Sequence, residues 1–467
     1  MSQLPKFFGT AGARGVFPSK INPELLVRVG KAVTHFFGRS VFSVGHDART
    51  TSRALSLALM SGILSSGSSV VDIGLVPIGM LPWSVRKYRL SGGIYITASH
   101  NPPQYSGFKI FKKDGSEITS SEEEVFEEAM EKSTYADWSS VGSYTALNPI
   151  DEYVSDLKSS LGSPTPRYRP KIVLDTSNGP TVLAAPRVLV DMGASVLVTN
   201  GNIDGRFPGR YPEPRPDVLE PFRPVLAATG YDALFAFDGD GDRLAVLTPK
   251  YGFVKQDRLI ALLASRVLMD RKGVVVISVD CGSAVRKIVE SLGGGIVFYK
   301  LGKIHEAFQT HSNVVMAAEP WKFIDPRWGL WIDGIYQAAY IAKLMMEEGR
   351  SLDSILQEVP DFPQARYSVA VPEEMKIDVF RELAETMRSA YSEKAVITDI
   401  DGLRMDFEDS SWVLVRPSGT EPKIRLYAEA VSVERLRYLV DTTLSLLLKL
   451  LKARGAEPPA IERSFLA

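Results

Sequence analysis

Short apolar runs alternate with longer stretches of helical periodicity, and the alternation repeats along the chain. Val41-Phe42-Ser43-Val44 leads through Gly45-His46 to Asp47. A helical stretch around Leu55 to Leu64 follows, and a second run, Val70-Val71-Asp72-Ile73-Gly74, closes the unit. The same order returns in Lys171 to Leu174, Asp175, a helix over Val182 to Met192, Gly193 and the run Ser195 to Val198. It returns again from Val274 to Val279, with Asp280, a helix over Ala284 to Leu292, glycines and the run Ile296 to Tyr299. Strand, aspartate among small residues, helix, glycine and strand together describe a βαβ unit. Asp47, Asp175 and Asp280 lie 128 and 105 residues apart, which is domain-sized spacing. The pattern predicts three tandem, related α/β domains with mixed sheets.

After about Pro363 the periodicity changes. Arg366 to Val371 alternates as a strand does, Glu373 to Tyr391 reads as a helix, and several strand candidates lie between Ala395 and Glu429. A long amphipathic helix, Val433 to Lys452, comes next, so the last domain is expected to be α+β. Expected boundaries are 1–150, 151–252, 253–365 and 366–467. The end, Glu457-Pro458-Pro459, reads as a mobile tail.

A chain of 467 residues is too long for one core, in keeping with several domains. Its 54 basic and 55 acidic residues leave a net charge of -1, which argues against a nucleic-acid or membrane partner. The single cysteine, Cys281, excludes an intramolecular disulfide and fits a reducing cytosol, where it reads as a small apolar residue. Met1 to Lys6 carries no signal-peptide pattern. The apolar stretch Leu444 to Leu451 is too short to span a bilayer and contains Lys449. A soluble cytoplasmic protein, monomer or homo-oligomer, is expected.

Candidate chemistry begins where the run Gly93 to Ile96 delivers Thr97-Ala98-Ser99-His100-Asn101-Pro102, because open α/β sheets place their chemistry at that edge. Ser99, beside the possible proton carrier His100, is either a presented nucleophile or phosphoryl carrier or a turn serine on these residues alone. A strand Ala233 to Phe237 delivers Asp238-Gly239-Asp240-Gly241-Asp242-Arg243. Three carboxylates with intervening glycines can wrap one hard cation, Mg²⁺ above others. The EF-hand pattern fails, since its sixth and twelfth positions here are Arg243 and Pro249.

Phe8 to Gly15 is a glycine-rich loop whose Arg14 can neutralise an anion. Its glycine spacing does not meet the dinucleotide fingerprint. Arg416-Pro417-Ser418-Gly419-Thr420, followed by Arg425, offers two arginines, two hydroxyls and backbone amides suited to a phosphate monoester. Lys109 is near enough in sequence to share the Ser99 site. Desolvation beside other cations would lower its pKa toward a general-base role.

With these parts in order and at domain-sized spacing, the chain resembles the α-D-phosphohexomutase (phosphomannomutase/phosphoglucomutase) family over essentially its whole length. The motifs are Phe8 to Gly15, Thr97 to Pro102, Tyr211-Pro212-Glu213-Pro214, Asp238 to Arg243 and Arg416 to Pro422. The resemblance implies four domains around one central cleft. Ser99 would be the phosphoserine, with Asp238, Asp240 and Asp242 holding Mg²⁺ beside it. Arg14, Lys109 and His100 would be catalytic, and Arg243, Glu319 and Lys322 would meet the substrate. Arg416, Ser418, Gly419, Thr420 and Arg425 would bind phosphate.

Two departures bear on the sugar. Where the family reads Gly-Glu-x-Ser-Gly-His, this chain reads Ala318-Glu319-Pro320-Trp321-Lys322-Phe323, and Gly74 to Gly79 lacks the family's Thr-Pro. Glu319 is expected to hold sugar hydroxyls, and Asp333-Gly334 to close the same loop. Trp321 is left between facing the sugar and packing beneath the loop.

The expected activity is phosphoryl transfer between the 1- and 6-oxygens of a mannose or glucose phosphate, with a sugar bisphosphate as intermediate and activator. A glucosamine phosphate or pentose phosphate is the alternative substrate. A non-catalytic phosphosugar-binding regulator is the rival reading.

Overall fold

A computed structural model describes residues 7–9, 12–162, 166–391, 395–419, 421–456 and 460–466. The chain forms two compact units. One comprises Met1–Val254, Phe308–Thr310 and Trp321–Glu358; the other comprises Lys255–Ala307, His311–Pro320 and Val359–Ala467.

Two mixed sheets organise the first unit. In the first, the order is Ala13–Val16, Tyr105–Lys112, Gly92–Ile96, Val41–His46, Ser69–Leu75 and Tyr144–Ala146. Val41–His46 runs parallel to both Ser69–Leu75 and Gly92–Ile96, while Tyr105–Lys112 runs antiparallel to Gly92–Ile96. Gly92–Ile96 is buried along its whole length, which is why its sequence is uninterrupted by polar residues. It hands the chain to Thr97 at the sheet edge. The helices Pro23–Phe37 and Ser52–Ser65 pack against each other beside this sheet. The first begins with Asn22 accepting from the Leu25 amide and proline at the first helical position. The stretch read as an N-terminal loop turns into a strand: Ala13–Val16 pairs antiparallel with Tyr105–Lys112, placing Arg14 opposite Gly107.

The second sheet has the order Gly252–Phe253, Leu244–Thr248, Ala233–Phe237, Lys171–Asp175 and Ser195–Thr199. Lys171–Asp175 is parallel to its neighbours on both sides, and Leu244–Thr248 returns antiparallel to Ala233–Phe237. The acidic hexapeptide therefore connects two wholly buried strands. The helix Gly334–Glu348 packs against Leu244–Thr248 and Ala185–Met192, so a later piece of chain completes this layer.

In the second unit, Val274–Ser278 lies parallel to Gly295–Tyr299 and to Val314–Glu319. The C-terminal sheet is antiparallel, in the order Ala395–Thr398, Leu403–Phe407, Trp412–Pro417, Lys423–Glu429, Gln364–Ala370 and Ile461–Leu466. Apolar residues of this sheet, among them Val369, Val413 and Leu426, form one core with Leu383, Leu439 and Leu447 of the helices Lys376–Ala390 and Val433–Ala453. Glu457, Pro458 and Pro459 lie outside the described residues. Beyond them the chain forms the edge strand Ile461–Leu466.

Buried charge joins the two halves of this unit. Arg404 donates to the carbonyls of Val279 and Cys281, with its guanidinium 4.5 Å from the Phe298 ring and 4.1 Å from that of Trp412. Gln364 donates to both Asp257 and Glu429, which also accept from the Gly282 and Ser283 amides respectively. Burial, reinforced by Glu429, pushes Asp257 up to about 6. Cys281 is buried, as a small apolar residue would be. Among the described residues no helix is long and apolar enough to cross a membrane.

Candidate active site

Ser99 lies inside the acidic loop's reach. Its Oγ donates to Asp238 Oδ2 at 2.7 Å, with Asp242 Oδ1 and His100 Nδ1 each 3.4 Å away. One oxygen from each of Asp238, Asp240 and Asp242 lies within 4.8 Å of the others, and all three residues are buried. This is an all-oxygen, carboxylate-rich donor set, the type that Mg²⁺ takes. The charge distribution fits a cation too. Burial, with Asp242 and Asp240 alongside, holds Asp238 well above the usual carboxylate range, and burial with Asp242 brings Asp240 up to about 6. A divalent ion would relieve that repulsion. Glycine is needed twice in this loop: Gly241 has φ of 84°, and a Cβ on Gly239 would come within 2.6 Å of the Ser99 carbonyl.

The serine loop is held by a residue that no motif marked. Ser99 itself has φ of 49°, in the left-handed region that costs a non-glycine residue energy. Arg49, buried, spends its guanidinium on this loop's backbone. It donates to the carbonyls of Ser99 (2.7 Å), Asn101 (2.5 Å), Pro102 (2.6 Å) and Tyr105 (3.1 Å), while its Nε meets Asp47 Oδ2 at 3.1 Å. Thr97 Oγ1 lies 2.8 Å from both Asp47 Oδ2 and Asp240 Oδ2 and accepts from the Ser99 amide. Asp47, noted in the sequence only as the end of a strand, thus ties the serine loop to the acidic loop. Arg210 does similar work at the acidic loop's entrance, bridging Asp175 and the Phe237 carbonyl.

Cations gather on Asp242. Lys109 Nζ is 3.1 Å and Lys322 Nζ 3.4 Å from its Oδ2, and Arg243 Nε is 4.0 Å from Oδ1. Burial opposes the charge on Asp242, but Lys322, Lys109 and Arg243 outweigh it and hold the carboxyl well below its usual range. Lys109 corrects an expectation. Burial would lower its pKa, yet Glu117 at 3.1 Å and Asp242 outweigh that and hold the ammonium well above its ordinary value. That direction is the opposite of the one expected from its cationic neighbours. His100 goes the other way, because burial together with Arg243 and Arg14 pushes it well below the usual histidine range and keeps the ring neutral. Arg14 Nη1 donates to Asn101 Oδ1 at 3.2 Å, beside the serine loop.

Both atypical loops of the sequence act on this cluster. The Ile78 amide donates to the Asp240 carbonyl. Asp333 caps the helix Gly334–Glu348 by accepting from the Ile335 and Tyr336 amides, and the Gly334 amide donates to the Gly241 carbonyl. Asp333-Gly334 therefore buttresses the acidic loop. Trp321 has φ of 69°, packs partly buried against the core of the second sheet, and lies under Arg243, whose guanidinium is 5.3 Å from its ring. The packing contact anticipated for Trp321 is present. Arg243 also donates to Glu213 at 2.8 Å, which brings Tyr211 to Pro214 to the site.

The phosphate-loop candidates lie in the other unit. Arg416 and Arg425 are direct partners across antiparallel strands, so both side chains leave the same face. Arg416 pairs with Asp401 at 3.0 Å and Arg425 with Glu421 at 2.8 Å, yet the Nε of each is buried without a hydrogen-bond partner among the described residues. Lys376 braces the turn by donating to the carbonyls of Ser418 and Glu421. Gly419 is exposed, and Thr420 lies outside the described residues. Glu319 is buried and accepts from the Gly302 amide, while Asp401 also accepts from the Leu301 amide.

Four family models match the chain in order. They describe domain I (residues 5–137), domain II (151–252), domain III (255–362) and the C-terminal domain (368–445) of phosphoglucomutase/phosphomannomutase. A phosphopentomutase of Thermococcus kodakarensis is 38% identical over 96% of this chain and 99% of its own length. A probable phosphoglucosamine mutase of Methanopyrus kandleri is also 38% identical, over 94% of this chain and 97% of its own. The crystal structure of a phosphoglucomutase/phosphomannomutase family protein from Burkholderia thailandensis superposes with a TM-score of 0.85 at 25% identity, covering 97% of this chain and 99% of that one.

Proposed function

The chain belongs to the phosphoglucomutase/phosphomannomutase family, and from that premise we propose that it is a phosphosugar mutase working through phospho-Ser99 and a sugar bisphosphate. The observation that carries this reading is the Ser99 hydroxyl, 2.7 Å from Asp238 within a buried, cation-ready triad. A protein that only bound phosphosugars would have no use for a hydroxyl there.

In this reading the Oγ–P bond of phospho-Ser99 breaks with its electron pair left on Oγ, as a free sugar hydroxyl bonds to phosphorus. The hydroxyl proton passes to the neutral His100 ring and on to Ser99 Oγ. Mg²⁺ held by Asp238, Asp240 and Asp242 would neutralise phosphate charge during transfer. Lys109 and Arg14 supply positive charge beside the reacting group. Arg416 and Arg425, with Ser418, Gly419 and Thr420, grip the phosphate that is not reacting. Glu319 accepts from sugar hydroxyls, and Arg243 contacts the substrate from the acidic loop. Once the bisphosphate has turned over, the other phosphate returns to Ser99. The partition 1–150, 151–252, 253–365 and 366–467 belongs to the same proposal.

The names of the two relatives support a pentose phosphate or a glucosamine phosphate as substrate ahead of the mannose and glucose phosphates. The test is a turnover panel of pentose, glucosamine, mannose and glucose phosphates with Mg²⁺ and a trace of the matching bisphosphate. Ser99→Ala should lose at least about 10⁴-fold of the turnover with its melting temperature kept. Phosphopeptide mapping should find the phosphate on the Ser99 fragment. Normal turnover by Ser99→Ala would sink the mechanism.

A further inference from the structure

Lys322 stands where a glycine is usual in the family's sugar loop, and its position in the fold does not suit a sugar contact. Its side chain is buried, and its Nζ lies 3.4 Å from Asp242 Oδ2, the oxygen that also receives Lys109 at 3.1 Å. The other oxygen of that carboxylate is 3.4 Å from Ser99 Oγ. One carboxylate thus separates the ammonium from the reacting hydroxyl. The backbone around Lys322 is fixed against the acidic loop, since the Leu244 amide donates to the Trp321 carbonyl at 3.0 Å. The charge is felt on both sides of the serine: Lys322 is the strongest cation acting on Asp242, and it also acts on His100.

We propose that Lys322 is a catalytic residue of the transferring phosphoryl group, a cation that stands on Asp242 while the site is empty and moves to the phosphate on Ser99 when the metal takes that carboxylate. The proposal rests on the mutase reading. In the first transfer the Oγ–P bond breaks with its electron pair on Ser99 Oγ, a sugar oxygen bonds phosphorus, and the hydroxyl proton leaves by way of His100. In the return transfer the sugar O–P bond breaks, Oγ bonds phosphorus, and the proton passes back through His100 to the sugar oxygen. The Lys322 ammonium gives up no proton. It neutralises charge on the phosphoryl oxygens, where preorganised positive charge is worth most. Because Lys322 and a divalent ion compete for Asp242, the lysine aids transfer while opposing metal binding. A sugar contact or a packing role would not produce that pair of opposite effects.

The test uses the full chain carrying Lys322→Met. Its kcat should fall about 100-fold for every sugar phosphate that the wild type accepts, with KM nearly unchanged, as when one preorganised charge is removed. Titration calorimetry with Mg²⁺ alone, on enzyme stripped of phosphate, should show binding about tenfold tighter than wild type, because a like charge beside the ligand is gone. Lys322→Arg keeps the charge and should restore most of the turnover and the wild-type Mg²⁺ affinity. If Lys322→Met melts early, Lys322→Gln carries the same comparison. Unchanged kcat, weaker or unchanged Mg²⁺ binding, or a KM change confined to particular sugars would each overturn the proposal. Should the wild type turn over no sugar phosphate, the mutase reading fails instead, and the Mg²⁺ titration still reads the lysine's competition for Asp242.

Discussion

The serine site and the loop proposed to bind phosphate both collect positive charge, but they hold it differently. Around Ser99 the groups are buried and serve one another: Arg49 is committed to four backbone carbonyls, and Lys109 and Lys322 share one oxygen of Asp242. At the proposed phosphate loop, Arg416 and Arg425 sit side by side, each on a carboxylate partner, with an Nε of each left unbonded among the described residues. Like charges directly across a ladder repel, so an incoming phosphate improves that arrangement. The chemistry is built from geometry that must not move. The grip is built from ion pairs that exchange partners at low cost.

The largest effect should come from the rigid side of this contrast. Arg49→Met would remove the guanidinium donor from Asp47 Oδ2 and from the carbonyls of Ser99, Asn101, Pro102 and Tyr105. A cost of about 3–5 kcal/mol is expected, the range for breaking a buried charged network, measured by urea unfolding. A loss below about 1 kcal/mol would show that the serine loop holds its shape without Arg49.

Arg416→Ala probes the exchangeable side. KM for sugar phosphates should rise about 10- to 100-fold with kcat changed far less, since a charged hydrogen bond to phosphate is lost while the Ser99 site is untouched. A fall in kcat at constant KM would erase the distinction between grip and chemistry.

The smallest effect asks whether the gripping unit also depends on buried charge. Asp257, raised to about 6 by burial and Glu429, binds its proton more tightly folded than unfolded. Its contribution to stability is therefore fullest below about pH 4, the ordinary aspartate value, and is lost as pH rises through about 6. The melting temperature of Asp257→Asn relative to wild type should rise across that window and level off above it, a change on the order of 1 kcal/mol. A flat difference between pH 4 and 7 would mean that Asp257 titrates alike in the folded and unfolded chain.

What the sequence made legible was local. Asp238 to Arg243 announced itself because three carboxylates after a buried strand have few uses besides a cation, and the βαβ order of Asp47, Asp175 and Asp280 is written in periodicity. The family followed from the order of the motifs. Convergence was not legible. Arg49 matters because four carbonyls distant in sequence meet it, and nothing in a lone arginine after a strand says so. The pKa of Lys109 was read in the wrong direction because desolvation was visible as burial while Glu117 and Asp242 were not visible as neighbours. Asp333-Gly334 looked like part of the sugar loop by proximity in sequence, but the Gly334 amide reaches the Gly241 carbonyl. The strand Ile461–Leu466 was hidden by the prolines before it.

A serine that is 1% exposed and kept in a left-handed turn presents no extended segment for another protein to seize. A protein kinase needs its acceptor hydroxyl out in solvent on pliable backbone, and Ser99 offers neither. On the proposed mechanism its phosphate would have to arrive on something small enough to enter the site. Priming would then be a metabolic event governed by the pool of sugar bisphosphate, and a molecule that lost its phosphate to water would stay silent until it met another bisphosphate.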